Sequence, residues 1–235
     1  MDSVLSQQEI DRLINGFGDL GHEFFDDDVV RYDFTRPNRF SRDQLRNLEK
    51  IYSNFARSAS TTISVVTRRR IEMQVSSIEE LVLDEFVRSI PSPTMLNLFT
   101  VEPLQGTCVL EMNLDIVYIM FDIICGGSGR PVKRRELTDI EVEIMRGVVS
   151  SILSEDLKNA WSEIVDINPE LIAIESNPQH IRIAGPTDTT SVASISIKIG
   201  QHQGMLNVCI PYSILEPVLP KLSGGYALGK VESSE

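Results

Sequence analysis

Residue types that carry catalysis or metal binding are present in this chain, but not at the spacings that either task needs. Three cysteines lie among apolar neighbours and fit no metal motif, which predicts small buried side chains in a reducing compartment. Three histidines are scattered, with no pair at helical spacing beside a carboxylate. These residues are Cys108, Cys125, Cys209, His22, His180 and His202. Because no Ser–His–Asp or Cys–His order is found either, we predict no catalytic residues, no metal site and no cofactor.

The segment GGSGRPVKRR (126–135) combines glycines with cations in an otherwise acidic chain. Gly126, Gly127 and Gly129 permit positive φ angles and close backbone approach. The segment lacks the glycine and lysine spacing of a phosphate-binding loop. Two interpretations remain: a glycine helix cap followed by a flexible linker, or a loop that contacts another protein.

The segment LSQQEIDRLI (5–14) has the pattern of a complete short helix. Ser6 and Glu9 form a capping-box pattern, and Leu5 with Ile10 has the spacing of a hydrophobic staple. Its apolar face consists of Ile10, Leu13, Ile14 and Phe17. A helix this short is unstable alone in water, so we expect it to form on a surface, either that of a partner or that of its own domain. The acidic, glycine-bearing segment behind it favours a partner.

Charge is unevenly distributed along the chain. Residues 1–33 hold nine acidic residues against two arginines, a balance of −7 out of a net charge of −12. This acidity argues against nucleic-acid binding and against adsorption to anionic lipid. No basic leader or apolar run of membrane-spanning length is found, so we expect a cytoplasmic protein without direct membrane insertion. Residues 18–39 are predicted to form a flexible tether.

Two stretches align without a gap at an offset of 98: residues 105–127 and 203–225. Both begin with Gln-Gly and end with Gly-Gly, and Ile116 matches Ile214. Ser41 and Thr138 also match as helix starts. The repeat predicts an internally duplicated α/β domain over residues 40–225, with halves 40–127 and 137–225. We expect one mainly antiparallel sheet with helices packed outside it, related by a pseudo-twofold axis.

Three local predictions complete this description. A short helix is expected from Ser77 to about Val87, and a hairpin is expected to turn within residues 200–204. The run Arg68–Arg70 is open to two interpretations. It could be a partner contact, or a set of cations near a helix C-terminus and on a solvated strand edge, which we favour.

The sequence resembles the FliM family of bacterial flagellar motor switch proteins. The resemblance is carried by residues 5–14, by YDFTRPNRFSRDQLRNLEKIYSNFAR (32–57), by GGSG (126–129) and by LTDIEVEIMRGVV (137–149). It implies a subunit that joins neighbouring FliM subunits in a ring at the inner-membrane face of the flagellar basal body, in the cytoplasm. Such a subunit controls rotation direction in chemotaxis and has a middle domain with the fold of CheC and CheX.

The resemblance also implies partners and their residues. Phosphorylated CheY would bind residues 1–17, and FliG would bind the glycine loop. The CheY-binding residues would be Leu5, Ser6, Gln7, Glu9, Ile10, Leu13 and Ile14. The FliG-binding residues would be Gly126, Gly127, Ser128, Gly129, Arg130, Pro131 and Val132. Residues 226–235 would lead to a C-terminal domain that the family carries and this sequence lacks, so FliN would bind only through that missing domain.

A CheC-type phosphatase acting on phosphorylated CheY is the alternative, because such enzymes share the duplicated fold. On each long helix they carry an acidic residue or a serine, a glutamate four residues later, and an asparagine three residues after that. Aligned from the helix starts, this chain has Arg46, Lys50 and Ser53 in one half and Glu143, Gly147 and Ser150 in the other. A shifted alignment gives Asp139, Glu143 and Arg146. Because the glutamate–asparagine pair is missing, the sequence predicts a non-enzymatic switch protein.

Overall fold

A computed structural model of the chain describes residues 39–223. The predicted N-terminal peptide, nearly all of the tether and the C-terminal linker lie outside these residues. Among residues 39–223, no helix is both long and apolar enough to cross a bilayer.

The first half of the domain contains three helices and three strands. These are α1 (Arg42–Thr67), β1 (Ile71–Val82), α2 (Leu83–Ser89), β2 (Met95–Glu102), β3 (Leu104–Met112) and α3 (Leu114–Ile124). The second half begins with a long helix and ends with a broken one. Its elements are α4 (Asp139–Ser151), a π-helical segment (Ile152–Leu157), α5 (Lys158–Trp161), β4 (Asn168–Glu175), a 3-10 turn (Pro178–His180), β5 (Thr189–Ile199), β6 (His202–Pro211), α6 (Tyr212–Leu215), a 3-10 turn (Glu216–Val218) and α7 (Leu219–Ser223).

Each half gives its first strand to the hairpin of the other half. β1 pairs with β5, β4 pairs with β2, and the hairpins meet at β3 and β6, all in antiparallel register. The order β1-β5-β6-β3-β2-β4 therefore reads the same when the halves are exchanged. Leu110 and Val208, equivalent at the offset of 98, pair directly with each other. The predicted duplicated fold is confirmed, and its pseudo-twofold axis passes through this pair.

Helices α1, α3 and α4 cover one face of the sheet. The alternation predicted for β5 is observed, with Ala193, Ile195, Ile197 and Ile199 inside the main core. Val192 points to the other face, where it joins a smaller cluster under α2 that includes Leu83 and Phe86. The sheet is thus packed on both faces, and burial of these side chains supplies most of the driving force for folding.

The repeated glycine and isoleucine positions lock the two halves together. A Cβ atom on Gly106 would lie 2.6 Å from Cδ1 of Ile214, and a Cβ on Gly204 would overlap Cγ1 of Ile116. Each glycine therefore makes room for the isoleucine of the other half. Ile116 is 1% and Ile214 2% exposed, so neither side chain has space to move aside.

A chain of polar side chains crosses the seam between the halves on the face opposite the main core. Nδ2 of Asn207 donates to Oε2 of Glu111 at 2.7 Å, and the Ser194 hydroxyl donates to Oδ1 of Asn207 at 2.7 Å. The hydroxyl of Thr94 donates to the other oxygen of Glu111. Burial raises the pKa of the Glu111 carboxyl, and the hydrogen bonds from Thr94 and Asn207 oppose that rise. Because no repeat or periodicity marks these residues, the sequence did not predict this contact.

Two local predictions are wrong. The helix expected from Ser77 begins only at Leu83, because residues 77–82 continue β1 and pair with β5. Glu80 instead accepts hydrogen bonds from the backbone N–H groups of Arg39 and Phe40, just before α1. Cys125 is exposed, whereas Cys108 and Cys209 are buried as expected.

Three other local predictions are confirmed. The helix starts predicted at Ser41 and Thr138 are both observed, and each has a capping box. The predicted hairpin turns at residues 200–201, between β5 and β6.

We expect Gly204→Ala to lower the free energy of unfolding by about 1–3 kcal/mol, because its methyl group would press on Ile116 in a packed core. The matched control is Gly147→Ala. Gly147 lies inside α4, and apart from its chain neighbours and the backbone of its own helix no described atom lies within 4 Å of the place that an added methyl group would take. Alanine should therefore raise stability by about 0.5–1 kcal/mol. Urea denaturation of both variants measures the difference. Gly204→Ala should destabilise the Ile116→Ala variant less than it destabilises the wild type, because the side chain that its methyl group would press on is then gone. Equal losses in the two backgrounds would contradict the contact between Gly204 and Ile116.

Candidate protein-binding loop

The segment 125–138 connects α3 of the first half to α4 of the second. Every residue from 125 to 136 is exposed except Gly129, which is buried. A linker without contacts would leave its backbone groups to water. This loop instead has an anchor at each end, and both anchors are side chains on the flanking helices.

The first anchor is Asp122, in the last turn of α3. Its Oδ2 atom accepts hydrogen bonds from the backbone N–H of Gly129 at 2.7 Å and of Arg130 at 3.2 Å. Its carbonyl oxygen also accepts from the N–H of Gly127 at 2.7 Å. These three bonds fold residues 126–130 back against the end of the helix. Hydrogen bonds to a carboxylate are stronger than those to neutral acceptors, so this turn has a defined conformation.

Each glycine of GGSG has its own structural reason. Gly126 and Gly129 have φ angles of +91° and +82°, a conformation that residues with a side chain rarely adopt. At Gly127 a Cβ atom would overlap the carboxylate of Asp122. The turn around Asp122 therefore requires glycine at these three positions, and the glycines do more than make the loop flexible.

The second anchor joins Arg135, at the other end of the loop, to both helices. Its guanidinium binds the two carboxylate oxygens of Glu141 at 2.7 and 2.8 Å. It also lies over the ring of Tyr118, 5.3 Å from the ring centroid. The Tyr118 hydroxyl donates to the carbonyl oxygen of Arg135. Tyr118 belongs to the first half and Glu141 to the second, so this anchor also ties the halves together.

Glu141 serves two structural purposes at once. One of its oxygens accepts from the backbone N–H of Thr138 at 2.7 Å, which completes the capping box of α4. The hydrogen bonds from Arg135, helped by those from Thr138, lower the pKa of the Glu141 carboxyl from 4.5 to about 2, although burial acts in the opposite direction. The start of α4 and the end of the loop are therefore held by one ionised carboxylate.

The part of the loop between the anchors faces solvent with apolar and cationic side chains. Val132 is 46% exposed, and Ile140 in the first turn of α4 is 70% exposed. Arg134 pairs with Asp115 at 3.0 Å. Within residues 39–223, no ion pair is found for Arg130 or Lys133. Exposed apolar side chains ringed by cations are typical of a surface that binds another protein.

The structure brings all seven predicted FliG-binding residues into this one loop. The predicted CheY-binding residues (5–14) lie outside residues 39–223. Sequence reasoning missed Asp122 and Tyr118, which lie in the apolar run IVYIMFDIIC (116–125). The one signal for Asp122 was that an acid interrupts an otherwise apolar helix shortly before a glycine pair.

The positions aligned with phosphatase residues lie on the outer faces of α1 and α4. Arg46, Lys50 and Ser53 line a surface depression of about 410 Å³ beside α5. Glu143 forms an ion pair with Arg146 at 3.1 Å. No group of three or more His, Cys, Asp or Glu side chains within residues 39–223 is arranged to hold a metal ion.

Comparison with known sequences places this geometry in a family context. A family model described as "Flagellar motor switch protein FliM" matches residues 41–227. FliM of Bacillus subtilis is 41% identical over 231 residues, which cover 95% of this chain and 69% of that protein. FliM of Treponema pallidum is 37% identical over 243 residues, which cover 100% of this chain and 70% of that protein.

Solved structures agree with the described fold. The FliM middle domain from H. pylori matches with a TM-score of 0.72 and 32% identity, covering 77% of this chain and 99% of that one. A chain of the FliG–FliM complex from H. pylori matches with a TM-score of 0.75 and 33% identity, over 77% of this chain and 100% of that one. FliY from Thermotoga maritima has a TM-score of 0.70 at 18% identity, which shows likeness of fold alone.

We expect Arg135→Ala to destabilise the domain in a pH-dependent way. Because the pKa of the Glu141 carboxyl is lower in the folded state, this carboxyl is protonated at a higher pH in the unfolded state than in the folded one. The stabilisation by the Arg135–Glu141 pair is therefore fully present above about pH 4.5 and is lost as the pH falls toward about 2. The stability difference between wild type and Arg135→Ala should therefore narrow over that window. Thermal unfolding at a series of pH values measures it.

Arg146→Ala is the matched control for this series, because it removes an exposed ion pair from the same helix. We expect it to change stability little at any pH. A constant difference between wild type and Arg135→Ala down to pH 2 would contradict the role assigned to the Arg135–Glu141 pair.

Proposed function

Because this chain belongs to the FliM family of flagellar motor switch proteins, we propose that it is a non-enzymatic subunit of the motor switch ring. In this proposal the loop residues 126–132 bind FliG, and the N-terminal peptide captures phosphorylated CheY. The subunit lies in the cytoplasm at the inner-membrane face of the flagellar basal body, beside neighbouring FliM subunits. Its output is the direction of rotation in chemotaxis.

The observation that carries the FliG assignment is the anchoring of an exposed loop at both ends. Asp122 and Arg135 hold the backbone, so Pro131 and Val132 are presented to solvent without a large cost for ordering them on binding. A relative from H. pylori has been crystallised as a FliG–FliM complex, and it matches this chain over its described domain. The exposed Ile140 lies just beyond the loop and extends its apolar surface.

The CheY assignment rests on the sequence of residues 5–14. The peptide would fold as it docks its Ile10, Leu13 and Ile14 face, so part of the binding energy would be spent on ordering. The tether would then raise the local concentration of CheY near the middle domain, where a second, weaker contact could form. The complex between the loop and FliG would need two states, and CheY would change the rotation direction only if it binds one of these states more tightly than the other.

Absence of catalysis is proposed from the helix positions where related phosphatases carry their reactive pair. In α1 these positions hold Lys50 and Ser53, and in α4 they hold Gly147 and Ser150. None of these side chains can supply the carboxylate and amide that act on an aspartyl phosphate and its attacking water. The residue types at these helix positions thus support the proposal of a protein that does not hydrolyse phosphorylated CheY.

We expect Val132→Asp to weaken FliG binding by at least about tenfold. In the proposed complex the Val132 side chain is buried against FliG, and losing that burial costs about 1.5 kcal/mol or more. Ile172→Asp is the matched control, since Ile172 is similarly exposed (51%) but lies on β4 at the other edge of the sheet from β1. Isothermal titration with FliG from the same organism measures both. Equal affinity of the two variants would contradict the loop as the FliG site.

We expect Leu13→Ala combined with Ile14→Ala to weaken binding of phosphorylated CheY at least about tenfold, because both side chains lie on the predicted docking face. Gln8→Ala lies in the same peptide, outside the predicted contact set, and should bind normally. Titration with a stable phosphate-mimic complex of CheY gives the affinities. A parallel assay follows phosphate release from phosphorylated CheY, and accelerated release by the wild-type protein would overturn the non-enzymatic proposal.

A further inference from the structure

A surface depression of about 270 Å³ lies directly beside the glycine loop. Ser128 and Gly129 of the loop form one wall, and the β5–β6 turn, from Gly200 to His202, forms another. Arg69 and Arg70, at the junction between α1 and β1, complete it. Three segments that are far apart in the sequence thus meet at one place, and one of them is the loop proposed to bind FliG.

The floor of this depression is apolar and its rim is cationic. The floor is formed by Ile119 and Ile123 of α3 and by Ile199 at the end of β5. Arg69 and Arg70 are both at the surface, and Arg130 of the loop is exposed on the neighbouring backbone turn. On a chain with a net charge of −12, a rim with two arginines and a third on the neighbouring turn is a marked local reversal of sign.

Local structure explains two members of the run Arg68–Arg70 but not the third. Arg68 ends α1 as its C-cap, with a φ of +52°, and a cation there complements the helix dipole. Arg70 precedes the edge strand β1 and pairs with Glu72 at 3.1 Å, in an exposed contact that contributes little. The Arg69 side chain has no ion pair or hydrogen bond within residues 39–223. A guanidinium left unpaired on the rim of a depression is available for a carboxylate of a partner.

We propose that this depression, with Arg69 and Arg70 on its rim, binds an acidic segment of the protein that docks on the glycine loop. This inference rests on the proposed function, because Ser128 and Gly129 belong to both surfaces and a partner seated on the loop would cover the depression. A nucleic acid fits less well, since its extended charge would also meet the acidic remainder of the chain. A short peptide segment needs only the local cations, and an apolar residue within it would rest on the isoleucine floor.

The test is FliG binding by the double variant Arg69→Glu with Arg70→Glu, at low salt and at about 1 M salt, where the Debye length is about 3 Å. The matched control is Arg46→Glu with Arg57→Glu, which changes the net charge equally on the exposed face of α1. We expect about a tenfold loss of affinity at low salt for the first variant and at most about a twofold loss for the control. The salt dependence of binding should also become shallower in the first variant only.

The outcomes separate this inference from the function on which it rests. Equal losses in both double variants, or no loss in either, would overturn the acidic contact while leaving FliG binding by the loop in place. No binding of FliG by the wild-type protein would overturn the proposed function itself. In that case a short poly-glutamate peptide, with poly-glutamine as its control, tests the depression directly. Shifts of the Gly129 and His202 amide signals with poly-glutamate alone would support the inference, and unchanged signals would overturn it.

Discussion

The exchange of strands between the two halves is the constraint on which the rest of this structure depends. β1 finds its only pairing partner within the described residues in β5 of the other half, and β4 finds its own in β2. A half alone would have an unpaired first strand and an uncovered glycine position. The reciprocal contacts of Gly106 with Ile214 and of Gly204 with Ile116 then fix how closely the halves approach. The main core is therefore built by side chains from both halves.

The position of the glycine loop depends on how the two halves are packed together. It is the covalent link between the halves, and its anchors come from both: Asp122 and Tyr118 precede it, while Glu141 follows it. A change in the relative position of α3 and α4 would therefore be felt at the loop backbone. This geometry gives a physical route by which an event elsewhere on the domain could alter the loop and its proposed binding of FliG, provided that it favours one arrangement of the helices.

The sequence predicted the parts of the fold that leave a local or repeated pattern. The offset of 98 predicted the duplication, and the alternation in residues 192–199 predicted strand β5 and its faces. The β1–α2 boundary was predicted wrongly, because Ser77 and Glu80 imitate a helix start where pairing with β5 decides the structure. Asp122 and Arg135 could not be assigned, since their partners are backbone groups and side chains that only the folded chain brings near.

The most direct test of the anchored loop is amide hydrogen exchange at Gly129 and Arg130, followed by NMR in the wild-type protein and in Asp122→Ala. The predicted result is protection of both amides in the wild type and its loss in the variant, with exchange in β3 and β6 unchanged. Rapid exchange of these amides in the wild type, or equal protection in Asp122→Ala, would contradict the claim that Asp122 holds the loop in a defined conformation.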